Sequence, residues 1–151
     1  KLIGGKIMSQ MMIEFSNKFK IQDLKIYETK YWIWSLRPHQ ATIGAGILSL
    51  KRECATFGEL ESKEFADLNN IIKVIEATLK NTFNYDVINY LMLMMFDKHV
   101  HYHIFPRYQN SVVSLGDTWN DEAWPAVPAL LGEPLSNEKL QEIILLIKSR
   151  I

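Results

Sequence analysis

Three of the four histidines in this chain, His99, His101 and His103, stand at alternate positions inside DKHVHYHIFPRY, residues 97–108. In a strand, alternate side chains share a face about 6.6 Å apart, twice the rise of roughly 3.3 Å per residue. His99, His101 and His103 therefore line one face, and Val100, Tyr102 and Ile104 the other. Three imidazoles in a row resist protonation once buried, because desolvation and a charged neighbour both disfavour the cation. At least two are expected to be neutral at pH 7. Neutral imidazole has one donor and one acceptor nitrogen, so a backbone carbonyl that takes the donor leaves a lone pair on the other nitrogen. That lone pair is a nucleophile or a metal ligand. As a ligand set, HxHxH could bring two or three nitrogens to zinc, with His39 or Asp97 completing the shell. A surface cluster of histidines without chemistry is the third reading.

Other residues could serve the same site. Arg107 could bind a phosphate through its planar fork, or pair with Asp97 or Glu53 as a structural bridge. Pro106 is expected to end the strand at a sheet edge. Trp119 and Trp124 could stack on a nucleobase, or pin their loop to the core or to a dimer partner.

The elements that must position these residues follow from periodicity. Met11, Met12, Phe15 and Phe19 recur at helical spacing behind Ser9, which predicts a short amphipathic helix over residues 9–19. Residues 26–36 are rich in aromatic and β-branched side chains and read as one strand, ended by RPHQ. A second strand covers residues 42–51. Gly44 and Gly46 inside it imply close approach by a ligand or another backbone, or a bulge. Phe65, Leu68, Ile72, Ile75 and Leu79 predict a long helix from Ser62, with Ser62 as N-cap. The near-continuous apolar run of residues 86–97 predicts a strand covered on both faces, joined to the histidine strand as a tight hairpin; its methionines read as core filling. Residues 109–135 lack a period and read as a long loop, and residues 136–151 as a C-terminal helix capped by Ser136, burying Leu140, Ile143, Ile144 and Ile147. The expectation is one α+β domain over residues 1–151, with an antiparallel sheet of about five strands, one long central helix and a C-terminal helix.

Composition narrows the partners. The 17 basic and 17 acidic side chains cancel, so neither a nucleic acid nor a membrane surface is expected as partner, and any phosphate must be bound locally. The single cysteine, Cys54, excludes an intramolecular disulfide and fits a reducing, cytoplasmic setting. No apolar run approaches the roughly 20 residues that span a bilayer. Residues 1–10 read as partly an added leader, with Met8, Met11 or Met12 as the natural start.

HVHYHIF followed by PRY resembles the histidine-triad motif, in the branch of that superfamily that holds dinucleoside polyphosphate hydrolases and nucleotidyl transferases. ILSLKRE on a glycine-bearing strand, the FGELESKEFADL helix entry and the hydrophobic strand before the triad extend the resemblance over roughly residues 26–108. It implies a homodimeric, cytoplasmic nucleotide hydrolase or transferase acting on the α-phosphate of a nucleoside phosphate conjugate. His101 would be the nucleophile, His103 would position the phosphate, and His99 would orient the nucleophile or polarise the leaving group. No cofactor is obligatory, although magnesium (Mg2+) could accompany a polyphosphate. Two features depart from the pattern: Ala45 stands where many relatives have a further histidine, and MMFDK replaces a Gly-Gln loop. His39 could compensate for the first, the alternative being a solvent-exposed turn residue. Gln40 is a candidate for ribose or phosphate contact. A nucleotide-binding protein with little turnover is therefore the competing reading.

Overall fold

The computed structural model describes residues 2, 3 and 6–151. The expected leader falls partly outside the described residues. Two short strands, β1 (Leu2–Ile3) and β2 (Lys6–Ile7), pair antiparallel ahead of helix α1 (Gln10–Phe19). Ser9 caps α1 by accepting the Met12 N–H. The main sheet comes next: β3 (Lys25–Glu28), β4 (Trp32–Leu36), β5 (Gly46–Leu50), β6 (Val87–Leu91) and β7 (His101–Arg107), in the order β3-β4-β5-β7-β6 with every pairing antiparallel. Between β5 and β6 runs the long helix α2 (Ser62–Phe83), and α3 (Asn137–Lys148) closes the chain. The α+β architecture and the five strands agree with the sequence reading.

Its details do not all agree. Residues 26–36 form two strands rather than one. Asp67 on α2 accepts both the Thr29 hydroxyl and the Tyr31 N–H at 2.8 Å, so a turn without Gly or Pro is held by a residue 38 positions away. Glu61, not Ser62, caps α2, in a reciprocal box with Glu64. The buried stripe of α2 runs through Leu68, Ile71, Ile75, Leu79 and Phe83, while Phe65 is exposed.

Residues 42–51 become strand only from Gly46. Gly44 turns at φ +91°, and a Cβ on Gly46 would stand 2.9 Å from the Ser35 carbonyl. Another backbone, rather than a ligand, is what approaches there. β6 is a half-exposed edge strand and the run after it leaves the sheet, with Met95 and Phe96 exposed. The apolar run therefore divides: Ile88, Tyr90, Met92 and Met94 pack against the main core, Leu93–Phe96 line an opening, and no tight hairpin joins β6 to β7. Pro106 lies inside β7, beyond the last pairing with β5 at Ile104, where β6 is the one paired strand among the described residues. A strand flanked on one side can tolerate a missing N–H. The expected long loop contains a hairpin, β8 (Val112–Ser114) with β9 (Asp117–Trp119), turned through Leu115 and Gly116 at positive φ.

The sheet has two unlike faces. Trp32, Trp34, Leu48, Leu50 and Ile104 pack with Ile71, Ile75, Leu79, Ile143 and Ile144 of α2 and α3 into the main core. On the other face Ile33 and Ile47 meet Phe15 and Phe19 of α1 with Ile21. The histidines lie on that second face.

Candidate active site

β7 projects His101 and His103 to one side by its pleat, and His99 joins them from the bend just before the strand. α1 roofs the row. The Phe15 ring lies 5.1 Å from His99 and 4.9 Å from His101, and the Phe19 ring 6.0 Å from His101 and 5.7 Å from His103. All three histidines are buried. Burial pushes the His99 pKa down to about 4 and that of His103 to about 3, with Arg37 and Lys18 adding to the effect at His103. His101 is lowered for the same reason. The row is neutral at pH 7, as alternate spacing in a dry setting requires.

The hydrogen bonds assign the tautomers. His99 Nδ1 accepts the Cys54 N–H at 3.3 Å, so its Nε2 carries the proton and donates to the Leu50 carbonyl at 2.7 Å. Both nitrogens are committed. The His99 carbonyl in turn lies 2.5 Å from His101 Nδ1; a carbonyl only accepts, so Nδ1 holds the proton and Nε2 the lone pair. That nitrogen has no hydrogen-bond partner among the described residues, and the ring lines a cleft of about 290 Å³. His103, 5.0 Å from His101 between ring centres, lines the same cleft, and its Nδ1 is buried without a partner. Leu93, Met94, Met95 and Phe96 form one wall and Leu130 and Leu131 another; Lys18 and Asp97, paired at 2.7 Å, stand at the rim.

The remaining sequence candidates are placed elsewhere. Arg107 is buried and bound to Asp121 at 2.6 and 3.1 Å, to Asn89 at 2.9 Å and to the Ala126 carbonyl at 2.7 Å. It neither faces the cleft nor meets Asp97 or Glu53; it clamps the long loop. Gln40 donates to the Arg37 and Ala45 carbonyls and accepts the Gly44 N–H, so its amide ties the β4–β5 connection and has no free donor for a ribose or phosphate. His39 is half-buried rather than a solvated turn residue, and packs so closely on Gly132 that a Cβ there would overlap its ring. It lines a neighbouring cleft with Pro38, Gly132 and Pro134. Trp119 packs on the main core and donates to the Ser114 carbonyl, and neither it nor Trp124 lines the histidine cleft. Ala45 is fully buried. No group of three or more His, Cys, Asp or Glu among the described residues is disposed to hold a metal ion, since His99 spends both nitrogens on backbone.

Arg37 and Lys18 line the site and were not among the sequence candidates. The available signal for Arg37 was its phase. It follows Ile33 and Ser35 at strand spacing, so a guanidinium was due on a face that is otherwise buried.

A five-stranded antiparallel sheet backed by α2 and α3, with three neutral imidazoles on its opposite face, defines the histidine-triad fold. No family model and no curated protein matches the sequence, but solved structures do. The chain is similar to a histidine triad protein of Sinorhizobium meliloti, at 19% identity over 87% of this chain and 93% of that one, with a TM-score of 0.69. It is also similar to the Plasmodium falciparum diadenosine triphosphate hydrolase solved with cyclomarin A, at 20% identity over 85% and 76%, with a TM-score of 0.64. A hypothetical histidine triad nucleotide-binding protein of Sulfolobus tokodaii gives 17%, 84% and 82%, and a TM-score of 0.64. At these identities the likeness establishes the fold, which is the one the sequence resemblance implied.

Proposed function

We propose that the protein is a nucleotide hydrolase or transferase that acts on the α-phosphate of a nucleoside phosphate conjugate, such as a dinucleoside polyphosphate or a nucleoside phosphoramidate. One observation carries this reading: His101 Nδ1 is held by the His99 carbonyl, Nε2 has no hydrogen-bond partner among the described residues, and the ring lines the cleft. In the first displacement Nε2 attacks the α-phosphorus, and the bond to the leaving group breaks with its electron pair. The new N–P bond leaves the imidazole positively charged, and the His99 carbonyl stabilises that charge through the retained Nδ1–H. Water or another acceptor then attacks the phosphorus, the N–P bond breaks, and neutral His101 is restored. His103, with its unpartnered ring nitrogen, contacts the phosphate oxygens. His99 holds the nucleophile in place without touching substrate. Magnesium, where used, would enter with a polyphosphate substrate, and a homodimer of this chain is part of the same reading.

The test is to trap the intermediate. Acid-free quenching of the protein with a nucleoside phosphoramidate or dinucleoside triphosphate, labelled at the α-phosphate, is expected to place label on a peptide containing His101. His101→Asn is expected to abolish the label and to lower kcat by about 10⁴-fold or more. A second reading, binding with little turnover, draws on Ala45 at the position of the usual further histidine and on the α1 roof, which leaves His101 only 1% exposed. Tight nucleotide binding by wild type with no covalent adduct would select it.

A further inference from the structure

Arg37 is a buried cation with donors to spare. It follows the last residue of β4 and lines the histidine cleft. Its backbone N–H bonds the Ala45 carbonyl at 2.9 Å, and its guanidinium carbon lies 5.2 Å from the centre of the Phe105 ring. Nη2 donates to the Leu130 carbonyl at 2.5 Å, while Nε and Nη1 are buried without any partner among the described residues. The residue is 6% exposed, and burial pulls its pKa down to about 10. Leaving N–H donors of a charged group unsatisfied in the interior is strongly unfavourable. A fold keeps such a group where a ligand supplies the missing acceptors. Position says which ligand. Arg37 forms part of the wall of the histidine cleft and also of the neighbouring cleft bounded by Pro38, His39, Gly132 and Pro134, and Lys18 stands at both. A molecule with one phosphate at His101 and His103 that continues into the second cleft must pass the free edge of this guanidinium.

We propose that Arg37, with Lys18 at the rim, forms an anion subsite for a second negatively charged group next to the reacting phosphate, so that the preferred substrate carries an anionic leaving group, such as a further phosphate, rather than a neutral amine. The identity of that substrate rests on the function proposed for the histidines; the anion subsite itself does not. Leu130 takes one of the two Nη2 hydrogens; the other, beside Nε or Nη1, still presents two parallel donors that fit two oxygens of a tetrahedral anion, and the dry surroundings strengthen the contact.

The experiment is calorimetric titration of wild type, Arg37→Met and Arg37→Lys with inorganic tripolyphosphate, which needs no turnover. Wild type is expected to bind it, Arg37→Met at least about tenfold more weakly, and Arg37→Lys in between, because the charge stays but the fork is lost. Arg37→Met is also expected to melt no lower than wild type, since it removes a desolvated charge. If it does not fold, Arg37→Lys decides alone. Absence of tripolyphosphate binding by wild type, or equal affinity in the variants, overturns the proposal. Kinetics add a second readout: Arg37→Met is expected to lower kcat/KM for a dinucleoside triphosphate about tenfold or more beyond its effect on a nucleoside phosphoramidate. Equal loss on both substrates overturns the subsite assignment. Absence of turnover by wild type on either substrate speaks against the histidine reading, and the titration still decides Arg37.

Discussion

The free lone pair on which the proposed role of His101 rests depends on a neighbour two residues away and on a ring from another element. The His99 carbonyl can meet His101 Nδ1 only because His99 itself is held by Leu50 and Cys54 backbone groups. Phe15 packs on both rings, and burial is the main reason their charged forms are disfavoured. Phe15→Ala is expected to admit water, to raise the His101 pKa toward its ordinary value of about 6.5, and to cost about 3–5 kcal/mol of stability. NMR titration of the imidazole resonances and urea melts would check the two effects. An unchanged His101 titration would mean that desolvation by α1 is not the cause. Alternate spacing revealed the shared face and the neutral row. The same spacing could have placed Arg37 on that face, but not revealed its unpaired donors, which depend on the packing of Phe105, Leu130 and Ala45 around it.

At the scale of elements, the long loop is the part that the sequence described least well. Its lack of period is real, yet it is fastened at both flanks of the site. Arg107 and Asp121, whose side chains are 4% and 1% exposed, form a buried pair that draws residues 121–126 against β7. The Leu130 carbonyl then meets Arg37, and Leu135 N–H the Pro38 carbonyl. Asp121→Ala leaves the Arg107 charge buried without its carboxylate, and a loss of about 3–5 kcal/mol is expected. Limited proteolysis should then cut within residues 109–135 faster than in wild type. Unchanged cleavage would show that the pair does not govern the loop. The apolar run of residues 86–97 was misread for a related reason. Hydrophobicity signals contact with something apolar, and here Leu93 to Phe96 stand at a cleft mouth rather than inside the sheet.

For the molecule as a whole, the buried histidines couple folding to pH. Their folded pKa values lie below the unfolded value of about 6.5, at about 4 for His99 and about 3 for His103. Below about pH 6.5 the unfolded chain takes up protons that the folded chain refuses, so stability falls as pH drops toward those values and is fully present above about pH 7. Each histidine contributes a slope of up to about 1.4 kcal/mol per pH unit in that window. Glu64, whose carboxyl Arg52 holds below its usual value, acts in the same direction at lower pH. Urea melts between about pH 5 and 7 are expected to show the slope, and His103→Asn to reduce it by about one histidine's share. A flat profile would contradict the buried, neutral row.

Residue order alone determined everything that rests on short-range periodicity: the paired faces of β7, the helices α1, α2 and α3, and three imidazoles on one side of a strand. Those features repeat every two or every three to four residues, so neighbours in sequence suffice to define them. Tertiary structure decided which donors were spent and which were spare. Arg107 was spent on Asp121 and Gln40 on three backbone groups, while Arg37, whose side chain has one hydrogen-bond partner among the described residues, 93 positions away, kept two donor nitrogens free. Satisfaction of a buried polar group is set by whatever packs around it, and no local spacing encodes that.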